Sequence, residues 1–200
     1  MIPKRIIYCW FGGEKPKKVL ECIEQWHKLM PNWEFLEINE DNFDINYNDY
    51  VKEAYKNKKY AYVSDIARLW ALYNYGGVYM DTDVWVYKPL DKFLIYDFFT
   101  GFEQPNYPIT ATMGAIKGNK LIKEMLEVYD NKEFKVHENW KDYETNTMIL
   151  SNIIGKYFNR YNMEYQEVDN MAIFPKQVLC NSEEITDEVY TRHLMFGSWI

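Results

Sequence analysis

Cysteine is scarce in this 200-residue chain: only Cys9, Cys22 and Cys180 occur, at irregular spacing. An odd number so spaced forms neither a disulfide framework nor a zinc motif, so three plain thiols in a reducing compartment are expected. Long apolar runs are missing as well. No stretch approaches the length of a membrane span. The opening segment, Met1 to Phe11, is too short for a secretory leader and no cleavage site follows it, which points to a cytoplasmic protein. Positive charge is outweighed, with 23 Lys and Arg against 30 Asp and Glu and a net charge of −7. Binding to phosphate backbones needs concentrated Lys and Arg, so duplex nucleic acid is excluded as the main partner. Two short basic runs, Lys15–Lys18 and Lys56–Lys59, read as solvated faces or as loose contacts to an anionic membrane surface. Internal repeats, low-complexity segments and linkers are lacking too, so residues 1–200 read as a single domain.

Aromatic residues, in contrast, make up 18% of the chain, with 18 Tyr and 7 Trp. Such side chains fill cores and also make flat contacts to sugars and bases. Arg5–Phe11 is apolar and β-prone and is stopped by Gly12-Gly13, which predicts a buried first strand and a tight turn. Val19, Cys22, Ile23, Trp26 and Met30 recur at helical spacing, so Lys18–Met30 predicts a helix closed by Pro31. A strand is expected at Trp33–Ile38 and a short helix at Asp49–Lys56. The clearest helix is Ser64–Asn74, with Ser64 as N-cap, Gly76-Gly77 as stop, and Ile66, Leu69, Trp70 and Tyr73 as its apolar stripe. Short strands are expected at Val78–Met80, Val84–Tyr87, Phe98–Phe102, Thr112–Ile116, Ala172–Phe174 and His193–Phe196. Helices are expected at Leu121–Tyr129 and Asn146–Phe158. This alternation predicts an α/β protein with a mixed, mostly parallel central sheet flanked by helices. In such sheets ligands bind at the carboxyl ends of strands, where Trp10 and Asp81–Asp83 both fall.

Asp81-Thr82-Asp83 is the segment that points to chemistry. In extended chain, residues two apart project to the same side, so both carboxylates can aim at one cation. Hard oxygen ligands suit Mg²⁺ or Mn²⁺, which keep positions open for phosphate oxygens. A cation so held would stabilise the negative charge that grows on a departing diphosphate. Alone, Asp-x-Asp is a weak signal. Its surroundings strengthen it: Asp65 and Arg68 share a helix face, expected away from the apolar stripe and free to meet a ligand. Gly76-Gly77 then allows a sharp turn that brings the next strand beside that helix. One unit would thus present Asp65, Arg68, Asp81 and Asp83 to a single cleft; Asp65 and Arg68 read either as a surface ion pair or as ligand-binding groups, Asp65 to sugar hydroxyls and Arg68 to diphosphate or sugar.

The run Ala61-Tyr62-Val63-Ser64-Asp65-Ile66-Ala67-Arg68-Leu69-Trp70-Ala71-Leu72-Tyr73-Asn74-Tyr75-Gly76-Gly77-Val78-Tyr79-Met80-Asp81-Thr82-Asp83-Val84 resembles the signature of the DXD-containing sugar transferases of glycosyltransferase family 32. That family includes capsule and surface-polysaccharide transferases and yeast mannosyltransferases, and is distantly similar to clostridial toxin glucosyltransferase domains. The opening Ile2–Gly13 and the closing Arg192–Trp199 resemble the family's ends. The resemblance implies a GT-A fold with a Rossmann-like sheet. It also implies a nucleotide-diphospho-sugar donor (a UDP-sugar favoured), Mn²⁺ or Mg²⁺, and retention of anomeric configuration. By position, Asp83 is implied as direct metal ligand, with Asp81 on ribose, sugar or metal. Asp65 and Arg68 match donor-sugar positions, and Trp10 an aromatic that stacks on the base. His193, Ser198 and Trp199 match a closing segment that completes the metal and diphosphate site.

Glu103 and Gln104 follow a predicted strand and read as acceptor-side residues. His27 and His137 read as helix surface and loop. Where many relatives carry a Gly-Pro pair, this chain has Trp140-Lys141-Asp142-Tyr143-Glu144-Thr145-Asn146, which leaves the acceptor side undefined. Relatives also continue beyond the position of Ile200, so C-terminal truncation stays open. The leading expectation is a hexosyltransferase acting on a surface or capsular glycan, with a glycan or lipid-linked glycan acceptor and loose attachment to the inner face of the membrane. Three competing readings remain. A phosphoryl- or nucleotidyl-transferring enzyme would need a Gly-rich cradle, and Gly12-Gly13-Glu14-Lys15 is too short for one. A non-catalytic sugar-nucleotide or glycan-binding module would differ in lacking turnover. A protein-glycosylating effector would need additional helical recognition regions.

Overall fold

The computed structural model describes residues 1–137 and 144–197. Its central sheet has the strand order β2 (Glu34–Ile38), β1 (Arg5–Cys9), β3 (Gly77–Met80), β7 (Thr112–Ala115), β5 (Phe98–Gln104), β9 (Met171–Phe174) and β8 (Gln166–Val168). β6 (Tyr107–Pro108) pairs with β5 off this path. β1 is parallel to β2 and β3, and β5 to β9, while β7 and β8 run against their neighbours. Hence β2, β1, β3, β5 and β9 point the same way, giving the mixed, mostly parallel sheet expected. A separate antiparallel pair joins β4 (Val84–Val86) to β10 (Thr191–His193).

Two apolar layers cover the sheet. One face packs on α2 (Asp49–Lys56), α3 (Tyr60–Tyr75), α4 (Lys120–Glu127) and α5 (Asn146–Ile154). The other packs on α1 (Lys17–Leu29), a 3-10 turn at Asp91–Ile95 and α6 (Lys176–Leu179). Phe98, Phe99 and Phe102 of β5 are wholly buried, each contributing about 1.5–3 kcal/mol relative to exposure. Helix starts follow local chemistry where a cap is present. The Asn48 side chain accepts from Val51 N to start α2, and Asn119 accepts from Leu121 N and Ile122 N to start α4. Trp26 is the anchor of α1: its ring is fully buried and its Nε1 donates to Val84 O at 2.8 Å.

Several sequence expectations are corrected. Ser64 is no N-cap. α3 begins a turn earlier, at Tyr60, because Tyr62 and Val63 are buried in the core and tertiary packing extends the helix past its local start signal. Nor does α3 carry one apolar stripe with a free polar face. It is enclosed on several sides, with Ala67, Arg68, Ala71 and Leu72 buried beside Ile66 and Leu69, while Trp70 and Tyr73 are only half-buried. The strand expected at His193–Phe196 lies at Thr191–His193, since that segment has β4 as partner. After it, Met195 turns with φ +53°. β6, β8 and α6 had no expectation, being too short to show a period.

Candidate active site

Strands β1, β3 and β5 end along one edge of the sheet, and the residues after or at those ends border a cleft of about 810 Å³. Trp10 comes from β1, Asp81, Thr82 and Asp83 from β3, and Glu103 and Gln104 from β5. Asp65 and Arg68 reach the cleft from α3, Tyr107 from β6, Asn146 and Met148 from α5, and His193 follows from β10. Gly76 (φ +68°) and Gly77 (φ +140°) make the reversal from α3 to β3 that sets Arg68 beside Asp81. A Cβ on Gly77 would lie 2.8 Å from Arg5 O, so the close approach of β3 to β1 requires glycine there.

Arg68 forms the floor. Its guanidinium is buried, 3.2 Å from a carboxylate oxygen of Asp65 and 3.2 Å from Asp81 Oδ1. It donates to Ser64 O and Thr110 O and lies 4.5 Å over the Tyr79 ring. Burial opposes its charge, but Asp81, Tyr79 and Asp65 prevail and it stays cationic. The same environment treats Asp65 differently. Burial pushes its carboxyl up to about 6 against the pull of Arg68, and the charge of Asp81 adds to the rise. This face is therefore a paired, buried floor, not the free surface expected from the sequence. Tyr79 also donates its hydroxyl to Asp81 Oδ1 at 2.7 Å, so two donors fix that oxygen. Asn146 ties α5 to α3 by donating to Asp65 O at 2.8 Å and accepting from Tyr129.

Asp83 is held from the other side. His193 Nε2 lies 3.2 Å from its Oδ1, Phe196 N donates to Oδ2 at 2.9 Å, and Leu194 N donates to its backbone oxygen. Burial opposes the Asp83 carboxylate, but the His193 hydrogen bond and charge and the Phe196 amide prevail, so its pKa lies below the ordinary value. Burial likewise opposes protonated His193, but its hydrogen bond with Asp83 and the charges of Asp81, Asp83 and Glu103 raise its pKa. Asp81, Asp83 and His193 each offer a ligand atom, and those atoms lie within 4.8 Å of one another. Their chemistry, two carboxylates and an imidazole, fits one divalent cation. His193 Nδ1 is buried without a hydrogen-bond partner among the described residues.

The structure thus brings Trp10, Asp65, Arg68, Asp81, Asp83 and His193 to one cleft. Trp10 is half-buried at its wall, its Nε1 donating to Gly13 O at 2.8 Å. Ser198, Trp199 and the stretch 138–143, which includes Asp142, lie outside the described residues. Sequence reasoning missed Tyr60, Tyr79 and Tyr107, which border the cleft. Only Tyr79 carried a signal, its place two residues before Asp81 on one strand face.

Residues 16–100 match the family described as "Glycosyltransferase sugar-binding region containing DXD motif". An inositol phosphoceramide mannosyltransferase of Schizosaccharomyces pombe is 28% identical over 156 residues, which is 75% of this chain and 44% of that protein. The chain therefore spans less than half the length of this curated relative. Among solved structures, a PaToxG glycosyltransferase aligns with TM-score 0.60 and 17% identity over 78% of this chain and 68% of its own. A glycosyltransferase involved in glycosylation of the major capsid of PBCV-1 aligns with TM-score 0.57 and 14% identity, covering 96% and 93%. At these identities the structural likeness speaks for the fold, which is of the GT-A type.

Proposed function

We propose that the protein moves a hexosyl group from a nucleotide-diphospho-sugar to a glycan hydroxyl, with retention of configuration; the match of residues 16–100 to the DXD-containing sugar-binding region of glycosyltransferases supports this reading. The observation that carries this reading is the convergence of Asp81, Asp83 and His193 on one point beside the Asp65–Arg68 pair. Asp81, Asp83 and His193 would hold the cation. An imidazole beside two carboxylates suits Mn²⁺ better than Mg²⁺, which prefers oxygen ligands throughout. Bound there, a divalent cation neutralises charge on the diphosphate.

The chain's own residues account for the remaining steps. Trp10 offers an aromatic face to the base at the β1 end. Asp65 offers oxygen acceptors to sugar hydroxyls, and Arg68 fixes Asp65 and Asp81 in register. In the transfer, the acceptor oxygen bonds to the anomeric carbon while the bond from that carbon to the β-phosphate oxygen breaks. The bonding pair leaves with the nucleoside diphosphate, which also takes the acceptor proton. Preorganised polar groups around that leaving oxygen are where the rate gain arises.

A UDP-sugar is the first donor to test. The yeast relative is named for mannosyl transfer, so mannosyl donors stand beside UDP-sugars in the panel. The proposed setting is the cytoplasmic side of a membrane with a surface or lipid-linked glycan as acceptor. No helix of the described residues is long and apolar enough to cross a membrane. The test is release of free nucleoside diphosphate from UDP- and GDP-sugars with and without Mn²⁺. Metal-dependent release from one donor, reduced by on the order of 100-fold or more in Asp83→Ala, is the expected result. No release together with no metal-dependent binding of any donor would sink the proposal.

A further inference from the structure

Every other carboxylate bordering the cleft is engaged: Asp65 and Asp81 with Arg68, and Asp83 with His193 and the Phe196 amide. Glu103 differs. Its side chain borders the same cleft, half-buried, with no hydrogen bond or ion pair to the described residues. The backbone shows how it comes to face inward. The register of β5 against β6 shifts between Phe102 and Gln104, so Glu103 sits at a bulge. Bulges at strand ends re-aim a side chain that the regular pleat would send elsewhere. Phe102 on one side is wholly buried and Gln104 on the other is exposed and pairs with Tyr107. The bulge therefore delivers one carboxylate and, through β6, one tyrosine ring to the same cleft.

We propose that Glu103 binds the acceptor: its carboxylate accepts a hydrogen bond from a hydroxyl of an uncharged sugar whose ring lies against Tyr107. This rests on the transferase reading and adds the acceptor's chemistry to it. Glu103 borders the same cleft as the proposed cation ligands Asp81, Asp83 and His193. An acceptor held there would meet a donor anchored on the DXD side. The charge of the wall selects against anionic acceptors. Arg68, the guanidinium bordering the cleft among the described residues, is already held by Asp65 and Asp81. A uronate or phosphorylated sugar would thus approach an unpaired carboxylate with no free Lys or Arg side chain bordering the cleft among the described residues to compensate, the proposed cation being committed to the donor diphosphate. A neutral hydroxyl instead gives a charge-assisted hydrogen bond.

The experiment compares wild type with Glu103→Gln and Glu103→Ala, using methyl β-glucoside, methyl β-galactoside, methyl α-mannoside and methyl β-glucuronide as acceptor probes. Transfer and acceptor-free donor hydrolysis are measured in parallel, with glycoside binding to the donor-loaded protein followed by NMR. The expected result is a preference for a neutral glycoside over the glucuronide. In Glu103→Ala, kcat/KM for that glycoside should fall on the order of 10- to 100-fold, as for loss of a hydrogen bond to a charged group, mainly through KM. Donor hydrolysis should stay within about two-fold of wild type, and Glu103→Gln should narrow the discrimination against the glucuronide. Unchanged transfer in both variants overturns the inference. So does a parallel fall in donor hydrolysis, which would put Glu103 on the donor side, and so does a donor-loaded wild type that binds and glycosylates none of the neutral probes. A wild type that neither binds nor hydrolyses any nucleotide-sugar fails one step earlier, at the transferase reading itself.

Discussion

Arg68 reaches Asp81 across the cleft floor, nitrogen to oxygen at 3.2 Å, from a helix position thirteen residues upstream of the motif it supports. The same guanidinium holds Asp65 and two backbone carbonyls, so its loss would leave the largely buried Asp65 and the half-buried Asp81 without their cation, Asp81 keeping only the Tyr79 hydroxyl. Arg68→Ala is expected to cost about 3–5 kcal/mol, read as a drop in urea midpoint at unchanged slope. Arg68→Lys should recover only part of this, because an ammonium cannot reproduce the fork. A cost below about 1 kcal/mol for the alanine variant would mean that water already screens the pair.

His193 and Asp83 should be coupled through the cation and through the chain. Asp83 accepts from the Phe196 amide and meets His193, so the segment from β10 to Gly197 is fastened to it. His193→Ala is expected to weaken Mn²⁺ binding by at least the 10- to 100-fold typical of disturbed metal sites, measured by calorimetric titration. Asp83→Ala should weaken it further and also speed protease cleavage near Phe196, because the Phe196 amide then loses its side-chain acceptor. Equal Mn²⁺ affinity in wild type and both variants would remove these residues from the metal site.

The legible parts of this protein were those in which a local pattern coincides with a packing role. Val19, Cys22, Ile23, Trp26 and Met30 announced α1 because its buried face is set by a 3.6-residue period. Asp81 and Asp83 announced the site because a strand end sets their spacing. Asp65 and Arg68 were found, but their burial was not, since it comes from Tyr79, Thr110 and Asn146, which approach from other elements. The start of α3 was misplaced for a related reason: Ser64 has the chemistry of a cap, but core contacts of Tyr62 and Val63 outweigh it. Glu103 could be noticed at a strand end, while the bulge that turns it inward exists only once β6 pairs with β5.

Gly77 offers a test of the turn that joins the two halves of the site. Its φ is +140°, and a Cβ would meet Arg5 O at 2.8 Å and Ile7 Cδ1 at 3.3 Å. Gly77→Ala should therefore combine backbone strain with a push on β1, lowering stability by more than the roughly 1–3 kcal/mol of strain alone. Gly118→Ala is the comparison, since Gly118 also has positive φ (+72°) but nothing within 4 Å of the added carbon. Its cost should be about 1–2 kcal/mol, the left-handed penalty by itself. Calorimetric melting of the two variants checks this, and equal losses would show that β1 and β3 separate without cost at that point.

Asp65 should leave a signature in the pH dependence of stability. Its carboxyl is raised from 3.8 to about 6, first by burial and then by the charge of Asp81, against the opposing effect of Arg68. Between those two values the folded protein holds a proton that the unfolded chain has released. Stability from this group is therefore greatest below pH 3.8, falls as pH rises through the window, and levels off above about 6. Asp65→Asn mimics the protonated form and lacks the titration. The stability of the asparagine variant relative to wild type should accordingly rise by roughly 2–3 kcal/mol between pH 4 and pH 7.5. Asp83, whose pKa is lowered, titrates in both proteins and drops out of the comparison. Urea unfolding of the pair at intervals across that range measures the difference directly. A flat difference, or one that falls with pH, would show that Arg68 outweighs burial at Asp65 and that the floor of the cleft carries its full negative charge in mild acid.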